Sequence, residues 1–115
     1  MTKAPSPATT YGVGPLTINC PQGNNSGSVE AKITNPNPAT HSMTNFPQLE
    51  VENPQGSGSW MYVASMSLKS GSSDVYEGDF WPWHLDAHGK AEFRVVVGWM
   101  VYYQFTESNA KTANC

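Results

Sequence analysis

The sequence predicts an all-β fold, a two-layer antiparallel β-sandwich of about six to eight strands. Ten glycines and nine prolines divide the 115-residue chain into short segments, and both residue types favour tight turns over helices. Several of these segments alternate apolar and polar side chains, which is the period of a half-buried strand. None shows the apolar period of an amphipathic helix.

A single domain accounts for most of the chain. Its length lies in the usual range for one domain, and four Trp, five Tyr and four Phe residues supply apolar bulk for one core. Residues 1–14 carry two prolines among mostly small residues, and we expect a flexible N-terminal lead-in there. Residues 15–115 then form the β-sandwich.

The first half of the domain contains three predicted strands, at 15–20, 28–34 and 48–53. A turn-rich cluster separates the first two, and a Pro- and Asn-rich loop of about a dozen residues separates the second from the third. The inward-facing positions are Leu16, Ile18, Cys20, Val29, Ala31, Ile33, Leu49 and Val51.

The second half contains segments 60–68, 75–85 and 91–105. Pro82 interrupts the second segment, which predicts an edge strand at most. The third is long for one strand, so we expect Gly98 to mark a bulge, a bend or a turn, with Met100 and Tyr102 facing outward. The shared inward faces are Trp60, Tyr62, Ala64, Met66 and Leu68 in the first segment, and Phe93, Val95, Val97, Trp99, Val101, Tyr103 and Phe105 in the third.

Residues 85–95 (LDAHGKAEFRV) resemble the L-x-x-x-G-x-x-x-F/V-x-V loop-and-strand pattern of bacterial immunoglobulin-like sandwiches. The resemblance implies an immunoglobulin-like sandwich and carries no functional residues with it. Two hallmarks of immunoglobulin domains are absent, because the cysteine spacing does not suit an inter-sheet bridge and no tyrosine corner is evident.

The two cysteines, Cys20 and Cys115, predict a disulfide bond, with two buried free thiols as the alternative. The bridge would enclose 95 sequence positions (115 − 20), and closing so long a loop is worth about 4–5 kcal/mol in the chain-entropy model. A disulfide implies an oxidising compartment. Structural zinc is disfavoured because the chain has no C-x-x-C pair.

The net charge and the absence of targeting signals restrict the cellular compartment and the classes of partner that the sequence predicts. The net charge is −3 and the six Lys and Arg residues are scattered, which disfavours nucleic-acid binding. No apolar run is long enough to span a membrane, and the first residues lack the apolar stretch of a signal peptide. We expect a mature secreted, periplasmic or cell-surface protein; a cytosolic protein is the alternative.

Trp81 and Trp83 flank Pro82 and form the leading candidate ligand surface. A flat pair of indoles suits the C–H face of a sugar ring or a protein partner; the alternative is that they close the end of the core. We expect Trp60 and Tyr102 to extend this surface. Glu77 and Asp79 are candidates for a polar rim that binds sugar hydroxyls or Ca²⁺.

Histidines offer a weaker metal hypothesis. His84 and His88 form an H-x-x-x-H pair, and His41 with Met43 adds the nitrogen and thioether ligands that suit copper. The simpler interpretation is a set of solvent-exposed loop histidines.

Catalysis finds little support, because no serine lies in a nucleophile-elbow pattern and Glu50 and Glu52 fit the solvated face of a strand. We therefore expect a non-catalytic extracellular binding or adhesion module with no cofactor, whose partner is a glycan or a protein surface. A self-assembling surface or fibre subunit is the first alternative, so oligomers are compatible with the sequence. A copper-binding periplasmic protein is the second.

Overall fold

The computed structural model describes residues 11–35, 47–99 and 104–115, which form two antiparallel β-sheets packed face to face. The predicted all-β, two-layer sandwich is therefore confirmed. Its strands are β1 (Gly12–Val13), β2 (Thr17–Asn19), β3 (Gly27–Thr34), β4 (Gln48–Glu52), β5 (Trp60–Ser65), β6 (Ser67–Leu68), β7 (Val75–Phe80), β8 (Lys90–Trp99), β9 (Gln104–Glu107) and β10 (Lys111–Asn114).

These ten segments occupy eight positions in the two sheets. β1 and β2 follow one another along the same edge of β3, and β9 and β10 do the same along β8. In each case the register slips by one residue between the two segments, which is the signature of a bulge in a single edge strand. The first sheet thus runs β1/β2, β3, β7, β6, and the second runs β9/β10, β8, β4, β5.

Alternation places the core between the sheets at most of the predicted positions. Cys20, predicted to face inward, is exposed instead, because β2 ends at Asn19. Ring centroids of Phe80 and Phe93 lie 4.6 Å apart across the interior. The confirmed inward positions are Leu16, Val29, Ala31, Ile33, Leu49, Val51, Phe93, Val95 and Val97, all of them buried.

The segment 60–68 does not present one inward face, and this expectation is wrong. Tyr62 and Leu68 are 54% and 48% exposed, whereas Met66 is buried. The pairing of β5 with β4 shifts register after Leu49, and the chain then leaves the second sheet to form β6 in the first. A bulge followed by a change of sheet breaks the period that a single strand would keep.

β7 lies inside its sheet, between β3 and β6, so the predicted edge strand is also wrong. Pro82 does not interrupt the ladder because the strand has already ended at Phe80. Gly78 of β7 is buried, and a Cβ there would lie 2.9 Å from Cγ of Met66 and 3.4 Å from Cβ of Leu49. The glycine therefore lets the two sheets approach closely.

The segment 91–105 is a hairpin rather than one long strand. β8 continues through Gly98 to Trp99, which pairs with Gln104 at the start of β9. The reversal therefore comes after Gly98 and not at it. Met100 and Tyr102, predicted to face outward, lie outside the described residues, as do Val101 and Tyr103.

The first described residues belong to the sandwich. Tyr11 is buried, and Gly12–Val13 pairs with β3, although the sequence places the end of the lead-in at residue 14. Small residues and glycines surround Tyr11, so the sequence there lacks the apolar–polar alternation that predicts a strand. Residues 1–10 lie outside the described part of the chain.

The predicted disulfide joins Cys20, just after β2, to Cys115, just after β10, with a Cα–Cα distance of 5.7 Å. The backbone N–H of Cys115 also donates a hydrogen bond to the carbonyl oxygen of Gly89 (2.8 Å). The bridge thus ties the first and last edge strands together at one end of the sandwich. Within the described ranges, no helix is long and apolar enough to cross a membrane.

Candidate ligand-binding site

The candidate site lies where the chain passes from β7 to β8 at the end of the sandwich that carries the disulfide. Phe80 anchors this connection in the core. A single 3₁₀ turn, Pro82–His84, follows directly, and the N–H groups of His84 and Leu85 donate to the carbonyl oxygens of Trp81 and Pro82. Proline at the first helical position favours this turn because its φ is already close to the required value.

The turn holds Trp81 and Trp83 in a parallel stack. Their ring centroids lie 5.2 Å apart and the planes differ by 1°, which is the offset geometry that aromatic pairs prefer. Trp81 is 38% exposed and Trp83 is 72% exposed. Neither indole is enclosed in the core; Trp81 is the inner ring, and Trp83 keeps one face open to solvent.

His84 contacts both tryptophan residues. The backbone N–H of Trp81 donates to Nδ1 of His84 (2.9 Å), and the imidazole lies 5.7 Å from the Trp83 ring. Burial lowers the pKa of His84. Since a protonated Nδ1 cannot accept a hydrogen bond, this geometry belongs to the neutral ring with its proton on Nε2.

A cleft of about 140 Å³ opens beside Trp83. One wall comes from the β7–β8 connection and the start of β8, and the other comes from the turn between β4 and β5. The lining residues are Glu52, Asn53, Gln55, Trp83, His84, Leu85, Asp86, Lys90 and Ala91. An aromatic wall faces amide, carboxylate and ammonium groups, a combination suited to a polar ligand with one apolar face.

The two carboxylates of the cleft also shape its loops. The oxygens of Glu52 accept hydrogen bonds from the N–H groups of Gly56 (2.7 Å) and Gly58 (2.9 Å). Oδ1 of Asp86 accepts from the N–H groups of His88 (2.8 Å) and Lys90 (3.0 Å). The hydrogen bonds from Lys90 and His88 hold the pKa of Asp86 below its usual range. Both walls are therefore fixed by backbone donors.

Trp60, predicted to extend the surface, lies on the outer face of the second sheet, paired with Glu52. The guanidinium carbon of Arg94 lies 4.4 Å from its ring centroid, and Arg94 also forms ion pairs with Glu50 (2.7 Å) and Glu107. Trp60 is not among the described residues that line the cleft. Tyr102, the other predicted extension, lies outside the described part of the chain.

Glu77 and Asp79 lie on the outer face of the first sheet, opposite Glu30 and Ser28. Lys69 forms an ion pair with Glu30 (2.8 Å), and its hydrogen bond lowers the pKa of that carboxyl group. Among the described residues, the cleft lining includes neither Glu77 nor Asp79.

The histidines do not converge on a metal centre in the described residues, where no group of three or more His, Cys, Asp or Glu side chains could hold an ion. Nδ1 of His84 accepts the Trp81 N–H, and His88 lies in an exposed turn. The other two candidate ligands, His41 and Met43, lie outside the described ranges.

Sequence reasoning missed the polar half of the cleft. Asn53 and Gln55 come from the turn after β4, about thirty residues before Trp83 in the chain, and Lys90 begins β8. Nothing in their spacing signals a shared site, because the antiparallel pairing of β4 with β8 brings the end of one strand beside the start of the other. Comparisons with protein-family models, curated proteins and solved structures find no match to this chain.

Proposed function

We propose that this chain is a non-catalytic extracellular binding module that recognises a glycan through Trp83 and the adjoining cleft. The observation that carries the proposal is the exposed, stacked indole pair at the mouth of a polar cleft. The C–H face of a sugar ring packs on an indole, while its hydroxyl groups both donate and accept hydrogen bonds and so match amide and carboxylate partners.

The scaffold is consistent with an extracellular setting. The Cys20–Cys115 disulfide is the kind of bond that persists in oxidising compartments. We further propose an immunoglobulin-like relationship, supported by the strand order. With the bulged edge strands counted once, the sheets follow the A-B-E-D and G-F-C-C′ pattern of such sandwiches.

Isothermal titration against a polysaccharide panel tests the glycan proposal. The panel contains β-glucan, xylan, mannan, galactan and chitin fragments, with polygalacturonate as an acidic member. We expect the wild-type protein to bind at least one neutral member and Trp83→Ala to lose that binding. Tyr62→Ala is the matched control, since this aromatic residue is also exposed but lies on β5, and it should bind as the wild type does.

Two results would contradict the proposal. One is that the wild type binds no member of the panel. The other is that Trp83→Ala and the wild type bind equally well. The high exposure of Trp83 makes it a good site for this substitution, because exposed side chains are usually replaced with little loss of stability.

A second candidate function is self-assembly, which one observation favours. β5 and β6 are edge strands that meet where the chain changes sheet, and they carry the exposed side chains Met61, Tyr62 and Leu68. β5 also has no charged residue, and uncharged edges favour strand-to-strand association.

Sedimentation velocity at several concentrations separates the two functions. A subunit that assembles through this edge would grow in size with concentration, and Tyr62→Lys would return it to a monomer. A monomer at all concentrations removes the assembly function and leaves the glycan proposal intact.

A further inference from the structure

We propose that the site accepts a single uncharged sugar ring at the end of a glycan, rather than a run of consecutive rings. This inference rests on the proposed glycan function and specifies the ligand more closely. Three features of the described residues carry it: the arrangement of the indoles, the turn that borders one side of the cleft and the balance of charge in its lining.

The indoles are stacked on each other instead of lying side by side. With the planes parallel and the centroids 5.2 Å apart, Trp81 covers one face of Trp83. The more exposed surface of the pair is therefore the opposite face of Trp83, which is 72% exposed against 38% for Trp81 and spans one indole. A surface for consecutive sugar rings would need its aromatic faces spread along one plane.

The cleft is bounded by the turn between β4 and β5. Glu52 holds that turn through its hydrogen bonds to the N–H groups of Gly56 and Gly58, and Asn53 and Gln55 project from it into the lining. A ring packed on Trp83 meets this wall at its polar edge. Since the turn borders one side of the space beside Trp83, a glycan that reaches the cleft either ends there or leaves on the side away from the turn.

Hydrogen-bonding groups surround the space beside the open indole face. Nε2–H of His84 and the ammonium group of Lys90 are donors, and the side-chain amide of Gln55 can donate and accept. The two hydrogen bonds to Asp86 both end at Oδ1, so within the described residues Oδ2 is the oxygen that can accept from a ligand. Hydroxyl groups, which do both, satisfy this mixed set.

The charge of the lining favours an uncharged ring. Glu52 and Asp86 contribute two negative charges, Lys90 contributes one positive charge, and the neutral form of His84 contributes none. The sum is one negative charge (−2 + 1). A uronic acid or another anionic sugar would be repelled by this balance, whereas a neutral pyranose would not.

A chain-length series tests the inference. Wild-type protein is titrated by calorimetry with gluco-, xylo-, manno-, galacto- and N-acetylglucosamine oligosaccharides from monosaccharide to hexasaccharide, and with oligogalacturonates of the same lengths. We expect the Kd of the neutral series that binds to change by less than about threefold from disaccharide to hexasaccharide. One protein should bind per chain end, and oligogalacturonates should bind more weakly.

Variants of the site sharpen the same test. Gln55→Ala should weaken binding of the disaccharide, whereas Gln22→Ala, an exposed glutamine in the turn after Cys20, should not. Trp81→Ala should weaken binding less than Trp83→Ala, because it removes only the support beneath the contacting ring.

The possible failures are distinguishable. Binding that strengthens more than about tenfold between disaccharide and hexasaccharide, or equal losses in Trp81→Ala and Trp83→Ala, would overturn the single-ring inference and leave the glycan function standing. Tighter binding of oligogalacturonates would overturn the preference for an uncharged ring. No binding of any oligosaccharide or polysaccharide would overturn the function and the inference together.

Discussion

Two tryptophan-bearing regions of this sandwich, at Trp83 and at Trp60, differ in what covers the ring. At the end of the sandwich, Trp83 stacks on Trp81 and keeps its other face open. On the outer face of the second sheet, Trp60 lies beneath the guanidinium group of Arg94, which two carboxylates hold in place. Whether a tryptophan ring can contact a ligand therefore depends on what packs on each of its faces and not on residue type.

The largest expected contrast between the two regions is an opposite response to alanine. Trp83→Ala should raise the Kd for the bound glycan at least tenfold, or about 1.4 kcal/mol, with little change in Tm. Trp60→Ala should leave Kd unchanged and lower the free energy of unfolding by about 1–3 kcal/mol, because its half-buried ring packs in the folded state. Calorimetric titration and urea unfolding of both variants measure this contrast, and similar behaviour of the two would break the comparison.

The next effect is on stability and concerns Gly89, in the connection between β7 and β8 that also carries Trp81 and Trp83. Gly89 has a φ of +75°, and a Cβ there would lie 2.6 Å from the carbonyl carbon of Cys115. Gly89→Ala should lower the free energy of unfolding by about 3 kcal/mol, from left-handed strain plus the clash. Gly71→Ala is the matched control, with a φ of +81° and open space around the position, and should cost only about 1–2 kcal/mol. If urea unfolding shows that Gly89→Ala and Gly71→Ala lose equal free energy of unfolding, close packing against Cys115 does not contribute to stability.

A smaller effect on stability is expected when the guanidinium group over Trp60 is removed. Arg94→Met keeps much of the side-chain bulk but removes the cation–π contact and the ion pairs with Glu50 and Glu107, so it should cost about 1–2 kcal/mol. Acrylamide should then quench more of the tryptophan fluorescence, while glycan binding stays unchanged. A change in glycan Kd would show that the two regions are coupled.

The smallest effect is a pH dependence of stability that arises at His84, beside Trp81 and Trp83. The ordinary pKa of histidine is 6.5, and burial lowers that of His84 in the folded chain. Its contribution to stability is therefore complete above pH 6.5 and is lost as the pH falls through the lower folded-state value, since the unfolded chain takes up the proton first. Acid protonation also breaks the Trp81 N–H···Nδ1 bond.

Tryptophan fluorescence followed from pH 7.5 to 4.5 measures this dependence. His84→Ala should remove the transition, and His88→Ala, at an exposed position, should retain it. A transition that survives in His84→Ala would assign it to another group.

Local patterning predicted the parts of the fold that depend on one strand at a time. The inward positions Val29, Ala31 and Ile33 are confirmed because period-two alternation is a property of the strand itself. The pairing of Cys20 with Cys115 is confirmed as well.

Features that depend on how two strands meet were not predictable in the same way. The bulge and sheet change around Met66 arise from register against a partner strand. From the sequence, Pro82 predicts an edge strand at most, yet it lies just beyond the end of β7. The same division holds at the candidate site. Sequence analysis found Trp81 and Trp83, whereas Asn53 and Gln55 reach the cleft through the pairing of β4 with β8.

The central claim is that the open face of Trp83, and not the covered ring of Trp60, contacts the ligand. NMR of the indole N–H groups tests it most directly, with resonances assigned by single Trp→Phe variants and followed while the neutral disaccharide selected by calorimetry is added. We predict that the Trp83 resonance shifts most, that Trp81 shifts less and that Trp60 stays in place. A shift confined to Trp60, or saturating binding that moves neither Trp81 nor Trp83, would contradict the account.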